Sequence, residues 1–263
     1  MEWKKIRRWL ILLLLAADLI LAGNIARQLW QQRSIAHTAA ENAVTVAAAR
    51  GIELQLEDVL AMPQKSGAIR IGRDPAAERA AAEKLLGKAD VTEPGGGVVI
   101  YASDAGELSF RRGGAVEIRL HGAEYSDGES IRSRLAAGGL SMKDASVEVS
   151  SGGITLIQSY QKQPVFNCRL ACTAETGDLA VRGRWLMGET GEENAAGKPR
   201  AQLVLALCDL MESLELRRVE GLRAGYVLQS EDAQSMVLVP VWEIRTGSDT
   251  LYLSALTGKQ VIF

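Results

Sequence analysis

The sequence has few of the residues from which metal sites and most catalytic sites are built. It contains 2 histidines and 3 cysteines among 263 residues, and aromatic residues make up 5%. His37 and His121 have no cysteine or acidic partner at ligand spacing, so a zinc site is not expected. No nucleophile elbow, phosphate-binding loop or Gly-x-Gly-x-x-Gly motif follows a predicted strand. The residue pattern therefore offers no candidate catalytic, cofactor-binding or metal-ligating residues.

The scarcity of cysteine also argues against a disulfide scaffold. Cys168 and Cys172 lie four residues apart on a predicted strand, about 13 Å at 3.3 Å per residue, too far for a bridge within it. With Cys208 as the third cysteine, the thiols cannot all pair within one chain. Buried free thiols are the favoured interpretation.

Excess charge of one sign is absent as well. The net charge of −2 and the pI near 5.9 do not indicate the basic surface that nucleic-acid binding requires. The acidic pairs Glu192-Glu193 and Glu231-Asp232 fall in a predicted linker and turn, which favours solvated surface over a glycosidase site. Trp185 and Trp242 could line a carbohydrate groove, but their place on predicted strands favours the core.

The sequence does contain one long apolar run, at residues 9–26. Its 18 residues span about 27 Å as a helix, close to the hydrocarbon thickness of a bilayer. Lys4, Lys5, Arg7 and Arg8 precede it, so the positive-inside rule predicts a cytoplasmic tail at residues 1–8 and an extracytoplasmic remainder. A cleaved secretory signal is the alternative. An uncleaved single-pass anchor in the cell membrane is favoured, because the run lacks a good small-x-small cleavage site.

Asp18 lies in the middle of this run, where an unpaired carboxylate facing lipid is costly. The small residues Ala16, Ala22, Gly23 and Ala26 surround it and would let another helix approach closely. These five positions are the predicted partner-binding residues.

Beyond the run, the predicted fold class is α+β, with a transmembrane helix and helical stalk followed by two related helix-plus-antiparallel-meander units. In the stalk, Ile35, Ala39, Ala43 and Val46 follow helical spacing. The predicted divisions are a stalk at 27–50, an N-terminal α+β segment at 51–122, a first unit at 123–187, a solvated linker at 188–199 and a second unit at 200–263.

Local signals predict several elements within these divisions. Asp74 as N-cap, Pro75 in the first turn and Gly87 as the stop predict a helix. Short strands are predicted at 52–56, 98–101, 107–110 and 115–120, and further helices at about 129–137 and 201–216. The two units share the order helix, strand, strand and strand, and they share the motifs Pro164-Val165-Phe166 and Pro240-Val241-Trp242.

With these features in order, the chain resembles the YycH/YycI family, and the YycI branch in particular. The resemblance rests on the basic start with Trp3, the membrane run around Asp18, and residues 49–54, 62–63, 226–227, 238–244 and 252–258. The last two segments are also similar to PepSY-type modules.

This resemblance implies a function outside the enzyme classes. Members are single-pass proteins of Gram-positive bacteria that associate, through their membrane helices, with a sensor histidine kinase controlling cell-wall metabolism. The expected partners are that kinase in the same membrane and a YycH-type paralogue. The alternative is a PepSY-like extracytoplasmic module that inhibits a protease or acts as an envelope chaperone.

Overall fold

The computed structural model describes residues 3–122, 127–150, 153–175, 177–187, 190–230, 235–247 and 249–263. The helices in these ranges are α1 (Trp3–Ala49), α2 (Leu56–Ala61), α3 (Pro75–Leu86), α4 (Gly128–Ala137) and α5 (Arg200–Ser213). The strands are β1 (Gly67–Gly72), β2 (Asp90–Gly95), β3 (Val98–Ser103), β4 (Gly106–Phe110), β5 (Ala115–Leu120), β6 (Ser146–Ser150), β7 (Gly153–Tyr160), β8 (Gln163–Glu175), β9 (Asp178–Arg184), β10 (Thr190–Ala196), β11 (Gly221–Ser230), β12 (Ser235–Arg245) and β13 (Thr250–Ser254).

The apolar run and the stalk form one continuous helix, α1, of 47 residues. The helix ends before Gly51, whose φ of 75° is one that side chains other than glycine rarely adopt. The stalk therefore ends at the predicted boundary of residue 50. The strand predicted at 52–56 is wrong, because Glu53 makes only an isolated bridge to Arg218 and α2 begins at Leu56. The alternation that suggested a strand comes from burial of residues 52 and 54 in an irregular segment.

Helix α3 begins and ends where the sequence predicts. The Asp74 carboxylate accepts hydrogen bonds from the backbone N–H groups of Ala76 and Ala77 at 3.0 and 2.9 Å, and Pro75 lies in the first turn. Gly87 ends the helix with a φ of 72°. Strands β3, β4 and β5 also match their predicted positions within two residues.

The strands described join into one sheet, whose main path runs β10-β1-β12-β11-β8-β9-β5-β4-β3-β2. Strand β7 pairs with β8, β6 pairs with β7, and β13 pairs with β12. The pairings within each meander are antiparallel, as short turns require. The two halves of the sheet meet at a short parallel contact of β8 with β11, where Val165 faces Tyr226.

The predicted α+β class and its two helix-plus-meander units are confirmed. Helix α4 precedes the meander β7-β8-β9, and helix α5 precedes the meander β11-β12-β13. Strand β6 is an addition to the first unit, and residues 123–126 lie outside the described ranges. A similar order recurs in the N-terminal segment, where α3 precedes β2-β3-β4-β5.

The two Pro-Val-aromatic motifs do not occupy equivalent places in these meanders. Pro164 faces Ser159 next to the β7–β8 turn, whereas Pro240 faces Tyr226 in the middle of β12. Proline has no N–H to donate, so it is tolerated in a strand where a neighbour is missing. Pro240 meets that condition, because β1 pairs with β12 up to Leu238 and β13 pairs with it from Val241. The order of elements, and not the motif, relates the two units.

The segment predicted as a solvated linker at 188–199 contains strand β10, so that part of the prediction is wrong. Ala195 and Glu193 face Ala68 and Ile69 of β1, with irregular register. The acidic composition fits an edge strand, since charged residues on an edge discourage pairing with other chains. Residues 188 and 189 lie outside the described ranges.

Helices cover one side of the sheet. Buried residues of α3 and α4 pack with β3–β5 and β7–β9, and buried residues of α5 pack with β11–β13 together with α2 and the end of α1. Trp185 and Trp242 are each 1% exposed within these two cores, so the core interpretation of both is confirmed. On the opposite side, which we call the helix-free face, Phe166, Val227, Val239 and Val241 form a small cluster under the C-terminal segment.

Candidate partner interface on the N-terminal helix

Among the described residues, one helix is long and apolar enough to cross a membrane, and it covers Leu13–Ala49. Its apolar side chains do not pack on the rest of the chain: Leu19 and Ile20 are 70% and 67% exposed. A contiguous apolar surface of this kind requires a membrane or a partner to cover it. The N-terminal half of α1 is therefore the candidate interface.

The predicted partner-binding residues divide into two groups around the helix. Asp18, Ala22 and Ala26 follow each other at intervals of four residues, so they form one stripe along α1. Gly23 lies about 140° around the axis from Asp18. Ala16 is seven residues before Gly23 in the helix, and its side chain lies outside what the structure describes. A single partner helix can contact the first stripe or the second, but not both.

The stripe through Asp18 is the better candidate for helix contact. Asp18, Ala22 and Ala26 are exposed along the helix. Placing a carboxylate at the centre of a membrane costs on the order of 2.5–3.5 kcal/mol on insertion scales, and a polar partner reduces that cost. The two alanines keep the approach beside the carboxylate open.

The other end of α1 is part of the folded core. Ala40, Ala43 and Ala47 are 1%, 6% and 0% exposed, and they pack with buried residues of α5 in the same core cluster. We call these three residues the alanine seam. Of the stripe expected from the sequence, Ala43 is buried, whereas Ile35 and Val46 are 70% and 39% exposed. Small side chains in the alanine seam let the backbones of α1 and α5 come close together.

An ion pair fixes the end of the seam. The Arg50 guanidinium donates to the Asp209 carboxylate of α5 at 2.6 Å, and it lies 3.8 Å from Glu212. Hydrogen bonding to Asp209 raises the pKa of Arg50. The Arg217 side chain donates to the Arg50 carbonyl at 3.1 Å. Helix α1 is thus joined directly to the C-terminal unit.

This junction could not be predicted from local sequence patterns. Arg50 and Asp209 are 159 positions apart, and neither lies in a motif. In an alanine-rich stalk, the sequence also does not indicate which alanines are buried. The contact depends on the tertiary fold, which places α5 beside the end of α1.

The two histidines lie apart from each other, and each is beside one carboxylate. Within the described ranges, no group of three or more His, Cys, Asp and Glu side chains could hold a metal ion. His37 lies 3.4 Å from Glu41, and His121 lies 3.1 Å from Asp178, both as exposed pairs. The side chains of Glu192 and Glu193 and the pair at residues 231–232 lie outside what the structure describes.

The three cysteines are free and buried, as the sequence predicts. Burial raises the pKa of the Cys168 and Cys172 thiols to about 12. Burial also raises the pKa of Cys208, which lies on α5 next to Asp209. Thiols in this state are poor nucleophiles and poor metal ligands.

Comparisons with known proteins assign no family to the chain. No family model matches it, and no curated protein is similar to it. A solved structure of an uncharacterized protein from Eubacterium rectale ATCC 33656 has a TM-score of 0.41 and 9% identity, over 77% of this chain and 88% of that chain. The Bacillus megaterium YpeB C-terminal domain has a TM-score of 0.35 and 11% identity, over 72% of this chain and 96% of that chain. The resemblance to the YycH/YycI family stays a prediction from the sequence.

Proposed function

We propose that this protein is a membrane-anchored auxiliary regulator, which modulates a two-component sensor histidine kinase that controls cell-wall metabolism. The observation that carries the proposal is the continuity of α1. One helix holds an exposed apolar half with a central Asp18 and a C-terminal end buried in the core through Ala40, Ala43 and Ala47. A helix that served only as a tether would not need to be built into the domain.

The proposed topology places the N-terminus in the cytoplasm and the α+β domain outside. The basic residues before the apolar run support this orientation. From Ala26 to Ala40 the helix rises about 21 Å at 1.5 Å per residue, so the domain would lie about that distance from the bilayer surface. A reporter fused after Phe263 should be active only when the reporter requires export, and release of a shortened soluble product would support signal cleavage instead.

The proposed mechanism uses the two ends of α1 together. In the bilayer, the stripe of Asp18, Ala22 and Ala26 would contact a helix of the kinase. Outside, the alanine seam and the Arg50–Asp209 pair would tie any shift or rotation of α1 to α5 and the C-terminal meander. The domain would then either position the complex or pass on a signal from outside the cell.

A second candidate function is supported by the repeated order of helix and antiparallel meander, which is also expected of a PepSY-like extracytoplasmic module. Such a module would inhibit a protease or act as an envelope chaperone. The two candidates differ in their need for the membrane helix, because a module of this kind would remain active as a soluble domain.

Crosslinking in membranes tests the first proposal. A photoreactive residue is placed singly at positions 16 to 26, and crosslinked kinase is measured after purification. We expect crosslinks from positions 18, 22 and 26 and few from positions 16, 20 and 23. Equal crosslinking around the helix, or none to the kinase, would contradict the proposal.

A further inference from the structure

A shallow depression on the helix-free face combines basic and aromatic side chains. It is lined by Phe166, Asn167, Arg169, Arg184, Tyr252 and Phe263. These residues come from the first half of β8, from the end of β9, from β13 and from the C-terminal segment. The depression lies in the extracytoplasmic part of the proposed topology and is separate from α1.

Arg169 and Arg184 both line this depression, and they lie on the neighbouring strands β8 and β9. They flank the last registered pair of β8 and β9, Leu170 and Gly183. A β-carbon at Gly183 would lie 1.8 Å from the Arg169 carbonyl oxygen, so glycine is needed for the strands to approach here. Like charges on neighbouring strands destabilise a sheet unless a counter-charge is present.

Little negative charge faces the two guanidinium groups. Arg169 Nε donates to the Phe166 carbonyl at 2.8 Å, and its other end is 3.9 Å from the exposed Glu148 carboxylate. Arg184 forms no ion pair with a described residue.

The nearest buried carboxylate, Glu243, is already neutralised. It forms an ion pair of 3.0 Å with Arg223 and lies 3.8 Å from Arg245. The Arg223 guanidinium also lies over the Phe166 ring, 5.0 Å from its centroid. The depression therefore keeps an excess of positive charge, although the chain as a whole is slightly acidic.

An aromatic wall borders the arginine pair. The rings of Phe166 and Tyr252 are 5.1 Å apart, and those of Tyr252 and Phe263 are 4.7 Å apart. Phe263 is 53% exposed, so its ring is available to a ligand. The Phe166 ring covers Gly225, where a β-carbon would lie 2.5 Å from the ring. Phe166 is therefore held against the sheet at one end of the wall, and Phe263 is exposed at the other end.

We propose that this depression binds an extended acidic segment of a partner protein, with an apolar side chain next to the carboxylates. Paired guanidinium groups match carboxylates in charge and in planar hydrogen-bonding geometry. The rings of Tyr252 and Phe263 would contact the apolar side chain of the same segment. A polyphosphate or other anionic polymer without apolar groups would leave this wall unused, which favours a peptide.

The test uses the full chain in phosphatidylcholine nanodiscs and a fluorescein-labelled peptide of eight residues that alternates glutamate with phenylalanine. Fluorescence anisotropy measures its affinity. We expect Arg184→Glu to weaken binding by about tenfold or more, since it removes one charge-assisted contact and adds repulsion. The control Arg132→Glu changes an exposed arginine of α4 that pairs with Glu129, and it should leave the affinity within about twofold.

Two further probes decide the nature of the ligand. Peptides with lysine for glutamate, or with alanine for phenylalanine, should bind at least about tenfold more weakly. Equal binding of the alanine peptide or of polyphosphate would overturn the peptide proposal in favour of an anionic polymer, and binding only to phosphatidylglycerol vesicles would overturn it in favour of a membrane. An unchanged affinity of the Arg184→Glu variant would show that the peptide does not bind in this depression. The kinase is absent from this assay, so its outcome is independent of the membrane-helix proposal.

Discussion

The side-chain amide of Asn167 forms two hydrogen bonds with the backbone of Leu228. Asn167 Nδ2 donates to the Leu228 carbonyl at 2.9 Å, and the Leu228 N–H donates to Asn167 Oδ1 at 2.8 Å. The amide thus takes the place of a backbone partner where β8 meets β11, beside the single registered pair of Val165 and Tyr226. Gln158 makes the same double contact with Leu186, at 3.0 and 2.8 Å.

Removal of the Asn167 amide should loosen the contact between the two halves of the sheet. We expect Asn167→Leu to lower the free energy of unfolding by about 2 kcal/mol, because a half-buried N–H and a carbonyl of Leu228 would lose their partner. Gln202→Leu, on the exposed side of α5, is the matched control and should have little effect. Chemical denaturation measures both, and a cost in Asn167→Leu no larger than in the control would refute the role of the amide.

The buried thiols predict a specific dependence of stability on pH. A thiol in the unfolded chain has a pKa of about 8.5, whereas the pKa values of Cys168 and Cys172 in the folded chain are about 12. Between these values the folded state binds more protons than the unfolded state, so the free energy of unfolding falls as the pH rises. Below the unfolded pKa the full stability is present.

Denaturation at about pH 8 and about pH 10.5 measures this loss. The double variant Cys168→Ala and Cys172→Ala should show a smaller loss than the original chain, since other alkaline groups titrate in both. A thiol reagent at neutral pH should label the cysteines only after denaturation. Equal losses in the two proteins, or labelling of the folded chain, would contradict the prediction.

The alanine seam should tolerate no larger side chain. Ala47 is 0% exposed, whereas its neighbour Ala48 is exposed. We expect Ala47→Leu to destabilise the domain by about 1–3 kcal/mol, because extra methylene groups would force α1 away from α5. Ala48→Leu adds the same atoms to α1 at an exposed position, so it should have almost no effect. Thermal unfolding distinguishes them, and equal melting temperatures would show that α1 does not pack as described.

If α1 acts as a rigid connection, its rotational phase should matter more than its length. Seven alanines inserted after Gln32 lengthen the helix by about 10.5 Å but rotate its ends by only about 20° from register. Five alanines lengthen it by about 7.5 Å and rotate the ends by about 140°. We expect regulation of kinase target genes to survive the seven-residue insertion better than the five-residue insertion. Equal activity of the two would indicate a flexible tether.

The sequence predicted those parts of the fold that depend on local signals. Asp74 and Gly87 delimit α3 because capping and left-handed conformations need particular residues nearby in the chain. Strand β5 has its predicted bounds because its apolar residues alternate. The edge strands β2 and β10 were missed. The residues of β2 are all exposed and so show no such alternation, and β10 depends on β1 for its hydrogen bonds.

The candidate interface shows the same division. Asp18 could be proposed from the sequence because a carboxylate within an apolar run is visible without any tertiary structure. The Arg50–Asp209 pair was missed because it joins distant parts of the chain. Likewise, Arg169 and Arg184 become neighbours only through strand register, which hydrophobic patterning did not specify in the long, irregular strand β8.

The most direct test of the account is to exchange residues 9–26 for an unrelated spanning helix of equal length, with Asp18→Leu as the minimal variant. The measurements are co-purification of the sensor kinase from membranes and expression of its target genes. We predict that the exchanged helix loses both and that Asp18→Leu weakens both without abolishing them, because interhelical hydrogen bonds in membranes average below about 1 kcal/mol. Full co-purification and full gene expression in both variants would contradict the account and move the partner contact to the extracytoplasmic domain.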